Sequence, residues 1–173
     1  MKKIGLFYGP ILGSCEKVAR TLWKMIGEDK CDIKAVRYCD KSDLDKYDNI
    51  IFGLSTVGAE TWQADKFQSG WFTFMNELEK ADLEGKVIAI FGLGDQVRYP
   101  YHFADAMGEV YEKIKEKGLD TIGKWPQEGY QFNESKAFVD DMFVGLPIDE
   151  EFQADMTEER LEKWLELISP HFK

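Results

Sequence analysis

The chain is poor in the residues on which most metal and acid–base chemistry relies. Only two of its 173 residues are histidine, His102 and His171, and only three are cysteine, Cys15, Cys31 and Cys39. The cysteines form no Cys-x-x-Cys pair, no cluster with histidine and no even framework. That argues against a metal site and against a disulfide-stapled secreted domain, and for a reducing, cytoplasmic compartment. Long apolar runs are missing as well. No stretch approaches the roughly 18 apolar residues of a membrane span, and the opening Ile4-Gly5-Leu6-Phe7-Tyr8 is too short an apolar run for a signal peptide. Positive charge is also scarce: 22 Lys and Arg face 32 Asp and Glu, a formal net charge of −10. A polyanion is repelled by such a field, which argues against nucleic acid and anionic membrane as partners and suits attraction to basic proteins.

What remains is the composition of a globular protein. At 44% hydrophobic and 31% charged residues the chain is neither disordered nor collagen-like. Its length suits one domain over residues 1–173, and a monomer is expected. There are no internal repeats, low-complexity tracts or flexible linkers.

Two kinds of segment alternate along it. Short apolar or β-branched runs at Ile4 to Tyr8, Ile33 to Tyr38, Asn49 to Leu54 and Lys86 to Phe91 read as buried strands, with a further short strand at Met142 to Gly145. Between them, helical spacing relates Val18, Leu22 and Ile26; then Phe72, Met75, Leu78 and Glu79; then Phe103, Met107, Val110 and Ile114. A last helix starts at Thr157, a candidate N-cap, faces Leu161, Trp164, Leu165 and Ile168 to the core, and stops at Pro170. Trp23, Trp71 and Trp164 are assigned to packing. This rhythm predicts a doubly wound α/β domain, a five-stranded parallel sheet with helices on both faces. Residues 123–141, with Trp125, Gly129, Tyr130 and Phe132 but no helical period, read as an ordered insertion.

In such folds ligands bind beyond the carboxyl ends of the strands. The first of these loops, Gly9-Pro10-Ile11-Leu12-Gly13-Ser14-Cys15-Glu16, runs into a helix whose N-terminal amides could hold an anion, but it is neither a Walker A loop nor Gly-x-Gly-x-x-Gly. A plain tight turn is the alternative reading. The loop from Ser55 through Thr56, Val57, Gly58 and Ala59 to Gln63 is polar, with Gly58 free to take either sign of φ. After the fourth strand, Gly92-Leu93-Gly94-Asp95 followed by the paired aromatics Tyr99 and Tyr101 suits a flat heterocycle: Asp95 or its backbone would meet a ring edge and Tyr99 a ring face. No nucleophile and base pair presents itself, so no catalytic residue is assigned. His102 reads as a surface or helix-start residue, and His171 as solvent-exposed.

From Ile4 to the last helix the chain resembles the flavodoxins, specifically their long-chain class. The most specific stretches are 91–99, Phe-Gly-Leu-Gly-Asp-Gln-Val-Arg-Tyr; 125–137, beginning Trp-Pro-Gln-Glu-Gly-Tyr; and 143–150, Phe-Val-Gly-Leu-Pro-Ile-Asp-Glu. The resemblance implies a low-potential one-electron carrier with non-covalent FMN, exchanging electrons with basic-faced redox proteins of the flavodoxin reductase kind, and an insertion that splits the last strand. It implies a cofactor site at Gly9, Ile11, Leu12, Gly13, Ser14, Cys15, Ser55, Thr56, Val57, Gly58, Ala59, Leu93, Gly94, Asp95, Tyr99 and His102. A flip of the Gly58–Ala59 peptide would present an N–H or a C=O to the flavin.

Two departures stand out. The family's loop usually reads Gly-Thr-x-Thr-Gly-x-Thr, and here Pro10, Leu12 and Cys15 replace the threonines, removing three hydroxyl donors. Val57 stands where many members place a stacking tryptophan, a ring that Trp62 could supply. The alternative reading is therefore a flavodoxin-fold protein with a degraded phosphate site, binding flavin weakly, riboflavin or another planar ligand in a regulatory role.

Overall fold

A computed structural model describes residues 1–56 and 70–173. Val57, Gly58, Ala59 and Trp62, on which the inner-face and peptide-flip expectations rest, lie outside the described residues.

The main sheet is parallel and five-stranded. Its strands are β1 (Ile4–Tyr8), β2 (Cys31–Ala35), β3 (Asn49–Ser55), β4 (Val87–Leu93) and β7 (Leu146–Ile148), in the order β2-β1-β3-β4-β7. The helices are α1 (Ser14–Ile26), α2 (Lys41–Asp45), α3 (Trp71–Lys80), α4 (Asp105–Glu116) and α5 (Thr157–Ile168). Strand alternation sends neighbouring residues of β1 to opposite faces. Leu6 and Tyr8 join the core under α1 and α5, with Val18, Leu22, Leu161 and Trp164, while Phe7 joins the core under α3 and α4, with Phe52, Trp71, Phe74 and Met107. The sheet is thus covered on both faces, as the near-continuous apolar strands require. Among the described residues no helix is long and apolar enough to cross a membrane.

The fifth strand is interrupted. Ile122 pairs in parallel with Ala89 and donates its N–H to the Ile88 carbonyl at 2.8 Å, then the chain departs. It forms a small antiparallel hairpin of β5 (Phe138–Val139) and β6 (Met142–Phe143) before β7 rejoins the sheet beside Phe91 to Leu93. The strand expected at Met142 to Gly145 is corrected accordingly: its first half belongs to the hairpin, and the sheet strand starts at Leu146. Pro147 is tolerated there because β7 is an edge strand, where a missing N–H need not break a ladder.

Three further expectations shift. The second strand ends at Ala35, and Val36–Tyr38 forms a single 3-10 turn. In α3 the buried stripe is Trp71, Phe74 and Leu78, whereas Phe72 is 46% exposed and Glu79 is exposed. Trp71 fixes that rotation by meeting Phe52 and Phe74 edge-on, at 5.6 and 5.4 Å, and donating Nε1–H to the Gly53 carbonyl. Thr157 does not cap α5: it is the first helical residue, and its buried hydroxyl has no hydrogen-bond partner among the described residues.

Candidate functional site

The chain crosses from β1 to β2 in one direction and returns to β3 on the other side, so the sheet's switch point lies between β1 and β3. Beyond the carboxyl ends there, a cavity of about 210 Å³ is walled by Pro10, Gly13, Ser14 and Cys15 after β1, Ser55 and Thr56 at the end of β3, Leu93, Gly94 and Asp95 after β4, and Glu150 and Glu151 after β7.

Backbone hydrogen bonds fix this floor. The Thr56 N–H donates to the Leu93 carbonyl at 2.7 Å, and the Gly94 N–H to the Ile148 carbonyl at 2.9 Å. The Thr56 hydroxyl accepts the Ala106 amide in the first turn of α4. Position 94 has no room for a side chain, since a Cβ there would come within 2.7 Å of the Ala104 amide nitrogen.

Asp95 is the polar feature of the wall. It is 3% exposed, and Oδ1 accepts the amides of Val97 and Arg98 at 3.1 and 2.8 Å, an Asx turn that shapes the loop. Oδ2 is buried and has no hydrogen bond among the described residues; the Arg98 guanidinium lies 3.6 Å away. A carboxylate on a cavity wall with one oxygen unengaged by hydrogen bonds among the described residues is suited to an N–H donor brought by a ligand. Behind it, fully buried Asp149 accepts the Gln96 amide and side chain through Oδ2 and the Glu151 and Phe152 amides through Oδ1, tying the loops after β4 and β7 together.

The first loop is arranged differently from its sequence-level reading. The Gly9–Pro10 peptide is cis, and Leu12 takes a positive φ of 60° with its side chain 89% exposed. The Leu12 N–H donates to Glu16 Oε2 at 2.7 Å, and Arg20 grips Glu16 Oε1 through Nε at 2.8 Å and Nη2 at 2.7 Å. This amide bond, with Arg20 and the Tyr8 hydroxyl behind it, holds the Glu16 carboxyl below the usual range. The Cys15 thiol donates to the Gly9 carbonyl at 3.3 Å. Burial pushes it up to about 12, outweighing any pull from the helix N-terminus.

Of the expected site residues, Gly13, Ser14, Cys15, Ser55, Thr56, Leu93, Gly94 and Asp95 come together on the cavity wall. Gly9 continues the sheet by donating its N–H to Gly53, Ile11 packs against the core under α1, and Leu12 points to solvent. Tyr99 is half-buried, its amide bonded to the Asp95 carbonyl, one turn beyond the wall. His102 is not on this wall: it lines a separate cavity with Tyr101, Phe132 and Lys136, and its Nδ1 lies 3.0 Å from Asp105 Oδ2. Val57, Gly58 and Ala59 lie outside the described residues. Pro10, Glu150, Glu151 and the Gln96–Asp149 link were not expected. The motifs at residues 91–99 and 143–150 held the signal for Gln96, Asp149 and Glu150, and neither contains Glu151.

The flavodoxin family model matches residues 6–164. The chain belongs to the flavodoxin family. It is 42% identical over 173 residues to a flavodoxin of Synechococcus elongatus, covering 99% of each chain. With flavodoxin 1 of Escherichia coli it shares 39% over 166 residues, covering 95% of this chain and 92% of the relative. Its structure superposes on that of Fusobacterium nucleatum flavodoxin bound to flavin mononucleotide with a TM-score of 0.88, at 25% identity and full coverage of both chains. The cavity at the β1/β3 switch point therefore sits in a flavodoxin fold.

Proposed function

We propose that this flavodoxin-family chain is a low-potential one-electron carrier that holds FMN non-covalently in the switch-point cavity. The observation that carries the reading is Asp95 on the cavity wall, whose Oδ2 accepts no hydrogen bond among the described residues and so remains available to a ring N–H. Glycine at position 94 lets the backbone close against α4, keeping that wall flat. Gly13, Ser14 and Cys15 at the start of α1 line the same cavity, and Ser14 with the amides of that helix N-terminus would hold the phosphate end. Bound FMN would supply the electron-accepting ring. The protein contributes an acidic, partly apolar setting: Asp95, Glu150 and Glu151 line the cavity against two paired cations, Arg98 and Lys17, and the excess negative charge opposes any gain of negative charge on the ring, which lowers the potential of the second reduction step.

The chain works as one domain over residues 1–173, as a cytoplasmic electron-transfer protein and not an enzyme. The interrupted fifth strand supports the long-chain class. Its partners are redox proteins with basic faces, drawn by the net charge of −10. A second reading, a degraded phosphate site that takes riboflavin as readily as FMN, is favoured by the engagement of the Leu12 amide with Glu16. Titrating the apoprotein with FMN and riboflavin by visible spectrum and fluorescence quenching tests both. Tight flavin binding and stepwise one-electron reduction are expected, and the absence of binding to either flavin would overturn the electron-carrier reading.

A further inference from the structure

We infer that Glu16 is an internal anion that competes with a ligand's phosphate for the Leu12 amide, and so sets how strongly the site discriminates between a phosphorylated and an unphosphorylated ligand of the same ring. The inference rests on the flavin reading above for the identity of the ring.

The loop between β1 and α1 has few donors. Pro10 brings no N–H, Leu12 and Cys15 bring no hydroxyl, and the Cys15 thiol is turned to the Gly9 carbonyl. Backbone amides and Ser14 are left, and one of those amides already has an anion. The 2.7 Å contact from Leu12 N–H to Glu16 Oε2 has the length of a charge-assisted bond. Glu16 is well placed to keep it. It sits in the first turn of α1, four residues after Leu12, with its side chain only 18% exposed.

The cations are committed in the same way. Arg20 lays two nitrogens on Glu16 Oε1, and Lys17 faces Glu150 at 3.7 Å. Glu16 therefore withdraws one loop amide from an incoming phosphate, and Arg20 holds the carboxylate in place. Glu16 also adds a like charge beside a group that carries roughly −1.5 to −2 near neutral pH. A phosphate that takes the Leu12 amide must displace the Glu16 carboxylate, and a ligand without phosphate need not. The ring end is untouched by this exchange, because Asp95 belongs to the loop after β4.

The test compares the intact apoprotein with Glu16→Gln, which keeps the side chain's size without its charge, and Glu16→Ala, which removes the carboxylate altogether. The readouts are the ratio of riboflavin to FMN dissociation constants from fluorescence quenching, and the rise in Tm caused by inorganic phosphate relative to chloride at matched ionic strength. The ratio is expected to increase at least tenfold in both variants, and the phosphate-induced rise in Tm to grow. An unchanged or smaller ratio in both variants overturns the inference while leaving the flavin reading intact. If the unaltered protein takes up neither flavin, the flavin reading fails by itself, and the phosphate response still decides: no larger rise in Tm for the variants overturns the inference.

Discussion

The two oxygens of Asp95 have different fates, and the difference is measurable. Oδ1 is spent on the Val97 and Arg98 amides, and Oδ2 accepts no hydrogen bond among the described residues. In Asp95→Asn the amide can preserve the turn but loses the charge. A hydrogen bond to a charged acceptor exceeds a neutral one by about 1.4 kcal/mol, which corresponds to roughly tenfold in affinity. FMN and riboflavin should weaken together by that factor in quenching titrations, and a loss confined to FMN would contradict the assignment to the ring. Cys15 makes a second residue-level prediction. Its folded value of about 12 lies above the ordinary value of 9.0, so the fold keeps a proton that the unfolded chain releases. Its contribution to stability is complete below about pH 9 and is lost as pH rises toward about 12. Tm should fall over that window, less steeply in Cys15→Ala, and the native thiol should resist alkylation at pH 8. Asp95 was legible because Gly-Leu-Gly-Asp ends a strand, where acceptors meet ligands. The hold of Glu16 on Leu12 was not. It needs the first turn of α1 and a left-handed Leu12 to bring the two together.

At the scale of the element, α3 illustrates what periodicity leaves open. The sequence around Trp71 to Leu78 offers two apolar stripes a residue apart, one through Phe72 and Met75 and one through Trp71 and Phe74. The choice falls to the stripe that meets Phe7 and Phe52 of the sheet, since only there do Phe74 and Trp71 find ring partners. Phe74→Ala should therefore cost about 3 to 5 kcal/mol in urea unfolding, and Phe72→Ala under about 1 kcal/mol; reversed magnitudes would mean that the helix is rotated. A similar ambiguity displaced the fifth strand. Met142 to Gly145 and Leu146 to Ile148 are both short and apolar, and Pro147 argues against a strand unless the segment lies at a sheet edge.

For the whole molecule, the net charge of −10 should act on rates more than on affinity. Raising ionic strength from about 0.01 to about 1 M shortens the screening length from about 30 to about 3 Å. Electron transfer to a basic redox protein, followed by stopped flow, should slow by about tenfold or more over that range, and a flat salt profile would remove steering from the account. The alternation of strand and helix, the two-faced apolar character of the strands and the positions of the strand-end loops were determined by the sequence itself, because burial on both sides of a sheet needs local patterns that a single chain displays. Which loops converge was decided only by the tertiary structure. Crossover connections bring Pro10, Thr56, Asp95 and Glu150 to one cavity from four separate strands, and turn His102, seven residues from Asp95, into another. Those distances depend on strand order and helix rotation, and both are fixed by contacts between residues far apart in sequence.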